Sequence, residues 1–254
     1  MRVHCFGEAG LPTVVLIHGL ATTWKQSFGE IIPLLSVRYY VIAVSLSGHD
    51  PADPEDFVSR KSEADQLALH LRQQRAGTVH GVFGASLGAA VAVELACSGQ
   101  VGMDGLVLDG LVRLPLDRFT RRLAGPAARL GAAVVAGRGG WLLRWAGLSP
   151  ETITGLVYAG VSETSLRNGC VEGFGVYTML RDAQVHHDVR VACWYGEKEA
   201  RLVSGGIREL RRHFPRLTER VFPGYGHGEI LKHPHQFVAE LDTFLEHAEP
   251  AASP

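Results

Sequence analysis

The most informative stretch of the chain is a pentapeptide around Ser86, which reads G-x-S-x-G from Gly84 to Gly88. It follows the apolar run 78–83 and opens the helical-looking stretch 89–96. A serine on such a strand-to-helix turn presents its hydroxyl at the top of a sheet, where it can act as a nucleophile. The flanking glycines let backbone segments pass where a side chain would clash. The sequence therefore predicts a nucleophilic serine rather than a flexible glycine loop.

A nucleophilic serine needs a base within hydrogen-bond reach, and the base needs a carboxylate that orients it. Among the twelve histidines the best candidate base is His227, in a glycine-rich loop directly after the apolar run 217–222. Ligands of open α/β sheets bind at the carboxyl ends of strands, which is where this histidine falls. A metal site at His233 and His235 is disfavoured, because no cluster of carboxylates or cysteines accompanies them.

Two places in the sequence offer the carboxylate. The apolar run 191–195 leads into a loop that contains Glu197 and Glu199, and Asp109 follows the apolar run 106–108. Glu199 lies past the bend of its loop and can point back toward the sheet. We therefore favour Glu199 and keep Asp109 as the alternative acid.

Acyl chemistry also needs two backbone amides that stabilise a developing oxyanion. One is the amide of Leu87, directly after the serine. The second is expected from the loop that follows the apolar run 13–17. Leu20 is favoured there because Gly19 permits the turn that exposes the next amide. His18 in the same loop is predicted to brace the backbone rather than to catalyse.

These residues need a scaffold that brings them to one edge. The chain contains six short apolar runs rich in Val and Ile, which are typical of strands buried on both faces of a parallel sheet. Amphipathic stretches such as 59–75 and 235–247 accompany them. Alternating strands and helices predict an α/β fold with a doubly wound, mostly parallel sheet. The runs are 13–17, 39–44, 79–83, 106–108, 189–195 and 217–222.

One segment interrupts this alternation. Residues 111–183 show helical patterns and no convincing strand, which predicts a core of residues 1–110 and 184–254 with a helical lid inserted between two strands. Both ends of the insertion fall near the edge that carries Ser86. The segment is therefore expected to cover the serine and to select a hydrophobic substrate, unless its helices only pack on the core. Its apolar side chains include Trp141, Leu142, Trp145, Val157 and Tyr158.

Composition excludes several classes of function. Lysine and arginine number 25 against 26 aspartates and glutamates, so nothing indicates a nucleic acid or an anionic membrane as partner. The N-terminus has no apolar signal-peptide region, and no run approaches the roughly 18 apolar residues of a membrane span. We expect a cytoplasmic protein that binds a small molecule without a cofactor or a metal. The four cysteines form no C-x-x-C pair and predict no disulfide framework.

Five motifs in order along the chain resemble those of the α/β-hydrolase superfamily, in its small single-lid group of esterases, lipases and C–C hydrolases. Two positions of the G-x-G turn motif depart from the family pattern: Ser45 replaces the usual aspartate before the turn, and Asp50 replaces the second glycine. The favoured acid, Glu199, is also a glutamate where the family more commonly has aspartate. The motifs are His18-Gly19 with Trp24, Ser47-Gly48-His49, residues 84–88, residues 196–199, and Gly226-His227 with Pro234 and Phe244-Leu245.

The resemblance implies a serine hydrolase with the chain order Ser86, Glu199, His227. Its expected reaction is cleavage of a carboxylic ester or thioester of a small, largely hydrophobic substrate through an acyl-enzyme. One alternative is a non-hydrolytic lyase or cyclase of secondary metabolism, because the fold does not decide the chemistry. The other is a receptor-like binding protein with little turnover, which is disfavoured because a pure binder needs no such trio of residues.

Overall fold

The central element of the structure, a computed structural model, is a seven-stranded sheet that is flanked by helices. Residues 1–53, 55–74, 77–112, 126, 160–180 and 189–246 are described. In these ranges the strands are β1 (Arg2–Phe6), β2 (Thr13–Ile17), β3 (Tyr40–Ser45), β4 (Thr78–Ala85), β5 (Gly102–Asp109), β6 (Arg190–Gly196) and β7 (Thr218–Phe222). The α-helices are α1 (Trp24–Phe28), α2 (Ile32–Leu35), α3 (Arg60–Gln73), α4 (Leu87–Ser98), α5 (Glu163–Leu180), α6 (Ala200–His213) and α7 (Pro234–Glu246).

The strand order is β1-β3-β2-β4-β5-β6-β7, and every neighbouring pair is parallel except β1 with β3. This confirms the predicted α/β fold with a doubly wound, mostly parallel sheet. Each of the six apolar runs lies in a strand or extends beyond it by one residue at most. Sequence reasoning missed β1, because this edge strand is half exposed and has no apolar run. It also overestimated the burial of β7, where residues 218–221 are exposed at the opposite edge.

The core has two layers, one on each face of the sheet. Along β2, Val15 and Ile17 belong to one buried cluster, whereas Val14 and Leu16 belong to the other. This alternation follows from the two-residue period of a strand. The first cluster includes buried side chains of α3, α4, α5 and α6, and the second includes those of α1, α2 and α7. Helices on both faces explain why the central strands read as continuous apolar runs.

Helix α5 lies in the chain between β5 and β6, inside the segment predicted to be a lid. Its side chains Leu166, Val176 and Leu180 are buried, and the helix packs against α4. This part of the insertion is therefore fixed on the core. Residues 113–125, 127–159 and 181–183 of the predicted insertion lie outside the described part of the chain, and so do the five apolar side chains on which the lid prediction rests.

Polar contacts attach α5 to the segment that leads into α3. Arg60 donates from Nε to Glu94 and from Nη1 to Glu172, each at 3.0 Å, so that it joins α3, α4 and α5. The hydroxyl of Ser165 donates to Asp56 at 2.9 Å. The same hydroxyl accepts the amide of Phe57 at 2.9 Å. Among the described residues no helix is long and apolar enough to cross a membrane.

Candidate active site

Ser86 stands on a sharp turn between β4 and α4, as the pentapeptide predicts. Its backbone φ of 52° lies in the left-handed region, which costs a non-glycine residue on the order of 1–3 kcal/mol. The neighbouring glycines have no room for a side chain. A methyl group at Gly84 would lie 2.4 Å from the carbonyl oxygen of Gly88, and one at Gly88 would lie 2.2 Å from that of Ile17. The tight backbone packing therefore requires both glycines.

Glu199 and His227 are hydrogen-bonded to each other across two loops. Nδ1 of the imidazole lies 2.6 Å from Oε2 of Glu199, whose side chain is 5% exposed. The other carboxylate oxygen accepts the amide of Gly196 at 3.1 Å. The two loops are joined directly, because the amide of Lys198 donates to the carbonyl of Tyr225 at 3.1 Å. The favoured carboxylate is thus the one that contacts the favoured base.

The environment raises the pKa of His227 above its ordinary 6.5. Burial opposes the charged imidazolium, but the hydrogen bond and the negative charge of Glu199, helped by the charge of Asp109, outweigh it. With its Nδ1 proton donated to Glu199, the neutral imidazole keeps Nε2 as a proton acceptor. Such a side chain suits the role of a general base near neutral pH.

This raised pKa predicts the acid side of the pH profile. An imidazolium cannot accept the serine proton, so kcat/KM should fall about tenfold for each unit of pH below the His227 pKa. The midpoint of this fall should lie above 6.5, and Glu199→Gln should lower it. The measurement is the initial rate with p-nitrophenyl butyrate across roughly pH 5 to 9, at the isosbestic wavelength of the product, with circular dichroism as the control for folding. A wild-type midpoint clearly below 6.5 would contradict the assignment of His227 as base.

The structure places Asp109 beside both of these side chains. Its carbonyl oxygen accepts the amide of Ser86 at 2.8 Å. Its carboxyl is buried, and in the described part of the chain no partner lies within hydrogen-bond distance of Oδ2. Burial, together with the negative charge of Glu199, raises its pKa to about 7, and His227 opposes this shift. Glu199 therefore holds the hydrogen bond to the imidazole of His227. Asp109 is a second carboxyl whose charge acts on the same ring.

The loop after β2 passes close to the serine. A methyl group at Gly19 would lie 3.4 Å from Cβ of Ser86. Ala21 has a φ of 55°, so the backbone that follows Leu20 is strained in the same sense as the serine turn. Leu87 begins α4, where the first amides of a helix have no acceptor within the helix. The two predicted oxyanion donors therefore belong to segments that flank Ser86.

His18 makes the contacts of a bracing residue. Its ring is fully buried, its Nε2 accepts the amide of Leu46 at 3.1 Å, and its Nδ1 donates to the carbonyl of Gly19 at 2.8 Å. Burial, with a contribution from the charge of His49, lowers the pKa of His18 to about 3. The ring is therefore neutral and ties the loop after β2 to the end of β3.

Two carboxylates hold the loop of His227, a role that sequence reasoning did not assign to them. Glu197 accepts the amide of Gly224 at 2.9 Å, and Glu229 accepts that of Gly226 at 2.6 Å. For Glu229 the available signal was its position three residues after the amide, which is the spacing of a capping contact. The contact of Glu197 joins residues 27 positions apart and has no local signal.

The two departures from the family motif contact each other. The hydroxyl of Ser45 donates to Asp50 at 3.3 Å. A carboxylate therefore lies beside the end of β3, as the family pattern has it, but Asp50 supplies it instead of an aspartate at position 45.

Among the described residues, no group of three or more histidine, cysteine, aspartate or glutamate side chains could hold a metal ion. His233 stacks on the ring of Tyr225 with centroids 4.7 Å apart. This contact gives the histidine a packing role in the loop that precedes α7.

Comparison with known proteins gives a family and a fold. The sequence profile described as "Alpha/beta hydrolase family" matches residues 14–241, which includes every candidate site residue named above. No protein with a curated description is similar enough in sequence to give a match.

Similar solved structures cover nearly the whole chain. A putative alpha/beta hydrolase family protein from Desulfitobacterium hafniense is 27% identical with a TM-score of 0.85, over 96% of this chain and 100% of that one. MenH from S. aureus is 16% identical with a TM-score of 0.74, over 98% and 99%. The esterase RhEst1 from Rhodococcus sp. ECU1013 is 21% identical with a TM-score of 0.69, over 97% and 94%. At their low identities, the last two likenesses show the fold alone.

Proposed function

Because the chain belongs to the alpha/beta hydrolase family, we propose that it is a serine hydrolase that cleaves a carboxylic ester or thioester through an acyl-enzyme. The observation that carries the proposal is the 2.6 Å hydrogen bond between Glu199 and His227, near the strained turn of Ser86. Three elements of the site then have separate roles: a nucleophile, a base and a carboxylate that orients the base.

In the proposed reaction, His227 accepts the proton of Ser86 as the serine oxygen attacks the acyl carbon. Glu199 fixes the tautomer and stabilises the imidazolium. The amides of Leu20 and Leu87 donate to the oxyanion of the tetrahedral intermediate. The imidazolium protonates the leaving group, and a water molecule activated by the same imidazole then releases the acyl group. Proton and charge return to their starting places after each cycle.

The surroundings of the two amides support a hydrophobic acyl group. Helix α5 comes so close to this edge that a methyl group at Gly169 would lie 2.5 Å from Cδ1 of Leu20 and 3.2 Å from Cδ2 of Leu87. At Gly173 a methyl group would lie 3.6 Å from Leu87. Apolar side chains of the proposed oxyanion segments therefore contact α5, the helix near the end of the insertion. Each methylene that such surroundings bury contributes up to about 0.8 kcal/mol.

The two glycines give a matched pair of substitutions. We expect Gly169→Ala to push the side chain of Leu20 and to lower kcat/KM by about tenfold to a hundredfold, because small displacements of an oxyanion donor are costly. Gly173→Ala makes an ordinary contact and should leave kcat/KM within about threefold. Both substitutions favour the helix by up to about 1 kcal/mol, so thermal unfolding measures the shared effect on stability. Equal rates in the two variants would show that Leu20 is not constrained by α5.

The proposed function is tested by a series of p-nitrophenyl esters from acetate to decanoate, with Ser86→Ala as the inactive control. We expect steady-state release of product, an acyl adduct on Ser86 in intact mass, and kcat/KM that rises up to about fourfold per methylene until the pocket is full. No turnover, together with normal labelling of Ser86 by a fluorophosphonate, would favour a lyase or a cyclase. No turnover and no labelling would favour a binding protein.

The proposed lid is tested with the same ester series. Residues 113–159 are replaced by a short Gly/Ser linker while α5 is kept, because α5 contributes buried side chains to the core. We expect the dependence on acyl chain length to flatten. If the shortened chain folds and keeps the wild-type profile, the insertion does not select the substrate.

A further inference from the structure

We propose that Asp109 is a positioning residue that shares with Glu199 the stabilisation of the His227 imidazolium, and that it takes over part of this role when the Glu199 carboxylate is removed. The effect of Asp109 on catalysis rests on the proposed function, whereas its effect on the pKa of His227 does not. The site then contains two carboxyls around one imidazole.

The sheet register brings Asp109 to the level of the serine turn. It pairs with Ala85 of β4 on one side and with Trp194 of β6 on the other. The next residue, Gly110, has a φ of 62°, and a methyl group there would lie 2.5 Å from Cε1 of His227 and 2.6 Å from Nδ1. The end of β5 therefore lies directly against the imidazole ring.

The Asp109 carboxyl is buried and incompletely hydrogen-bonded. The residue is 2% exposed, and in the described part of the chain its Oδ2 has no hydrogen-bond partner. A buried carboxylate oxygen without a partner is costly, and a nearby positive charge lowers this cost. Within the described chain, the titratable groups whose charges act on Asp109 are Glu199, from the loop after β6, and His227, from the loop after β7. An imidazolium at position 227 is therefore its natural counter-charge.

Repulsion from Glu199 disfavours the ionised form of the Asp109 carboxyl as long as Glu199 itself is ionised. Burial first, and the charge of Glu199 second, raise the pKa of Asp109 to about 7, which favours the protonated carboxyl more than in an ordinary aspartate. Glutamine at position 199 removes that repulsion and favours the ionised form of Asp109. The imidazolium then faces one carboxylate again, although this carboxylate comes from the end of β5 instead of the loop after β6.

The first test is an NMR titration of the His227 Cε1 proton in the wild type, Asp109→Asn, Glu199→Gln and the double variant. It needs no substrate and is independent of the proposed function. We expect Asp109→Asn to lower the pKa of His227 by about half a unit to one unit, and the double variant to lower it further than either single one. Asp104→Asn, an exposed change on the same strand, is the matched control and should leave the titration unchanged. An unaltered His227 pKa in Asp109→Asn would overturn the proposal.

The second test asks whether Asp109 replaces Glu199. We expect Asp109→Asn to cost less than about tenfold in the wild type but at least about tenfold more in the Glu199→Gln background, measured as kcat/KM or as the rate of fluorophosphonate labelling at Ser86. Equal costs in both backgrounds would overturn the replacement. If Asp109→Asn does not fold, the Glu199→Gln variant decides alone: its His227 keeps a pKa near 6.5 if Asp109 supplies the charge, and a pKa far below 6.5 would refute it.

Discussion

Ser86→Ala and His227→Ala should each lower kcat by about 10⁴-fold or more, because neither residue of a nucleophile–base pair works without the other. The double variant should be hardly slower than either single variant, since the second change removes a function that is already lost. The measurement is kcat with p-nitrophenyl butyrate for the four proteins. Losses that add in free energy, or single losses below about tenfold, would contradict the assignment.

Folding is the necessary control for this comparison. Alanine has a Cβ atom, as serine does, so the positive φ at position 86 costs about the same in both proteins. Ser86→Ala should therefore unfold at nearly the wild-type temperature. His227→Ala removes the hydrogen bond to Glu199 and leaves a buried carboxylate without its partner. Its thermal unfolding should therefore be monitored separately, and kcat compared only at temperatures where both variants are folded.

Glu199→Gln should lower kcat by about 10²- to 10⁴-fold, less than the loss of the serine. The glutamine keeps the shape of the side chain but lacks the charge that stabilises the imidazolium. Asp109→Asn, a substitution of the same chemical kind, should leave kcat within about tenfold. Steady-state kinetics on the two variants gives the ranking. The reverse order would identify Asp109 as the principal acid of the site.

The central sheet could be predicted from sequence because β2, β4, β5 and β6 are buried on both faces, and their apolar runs have no other simple explanation. The signal is weaker in edge strands. In β7 the run 217–222 located the strand but not its exposure: Glu219 and Arg220 face solvent, and each is paired with a charge on a neighbouring helix. Strand β1, at the other edge, has no apolar run and was missed.

The pairing of Glu199 with His227 could be predicted because both loops follow recognisable strands, and the carboxyl ends of parallel strands meet at one edge. The choice between Glu199 and Asp109 could not be settled in this way. Both follow strands of the same sheet, and the decision depends on the direction of two side chains. That direction is set partly by contacts between distant parts of the chain, such as the amide of Lys198 on the carbonyl of Tyr225, which no local pattern encodes.

Helix α5 shows a second limit of sequence reasoning. From sequence alone, its glycines at 169 and 173 indicate only low helix propensity within a segment that has no predicted strand. Their packing against Leu20 and Leu87 depends on residues that are more than 80 positions away in the chain. Only the folded structure shows that a missing side chain at position 169 matters to the loop after β2.

The strained backbone of Ser86 also bears on how the chain evolves. A glycine at this position would adopt the same φ of 52° without penalty, so exchanging the serine should release part of the roughly 1–3 kcal/mol held in the turn. Under selection for stability alone, the serine would therefore be a poor choice. A descendant that lost its chemistry could become more stable by one substitution, and stabilising mutations at this turn should appear together with loss of activity.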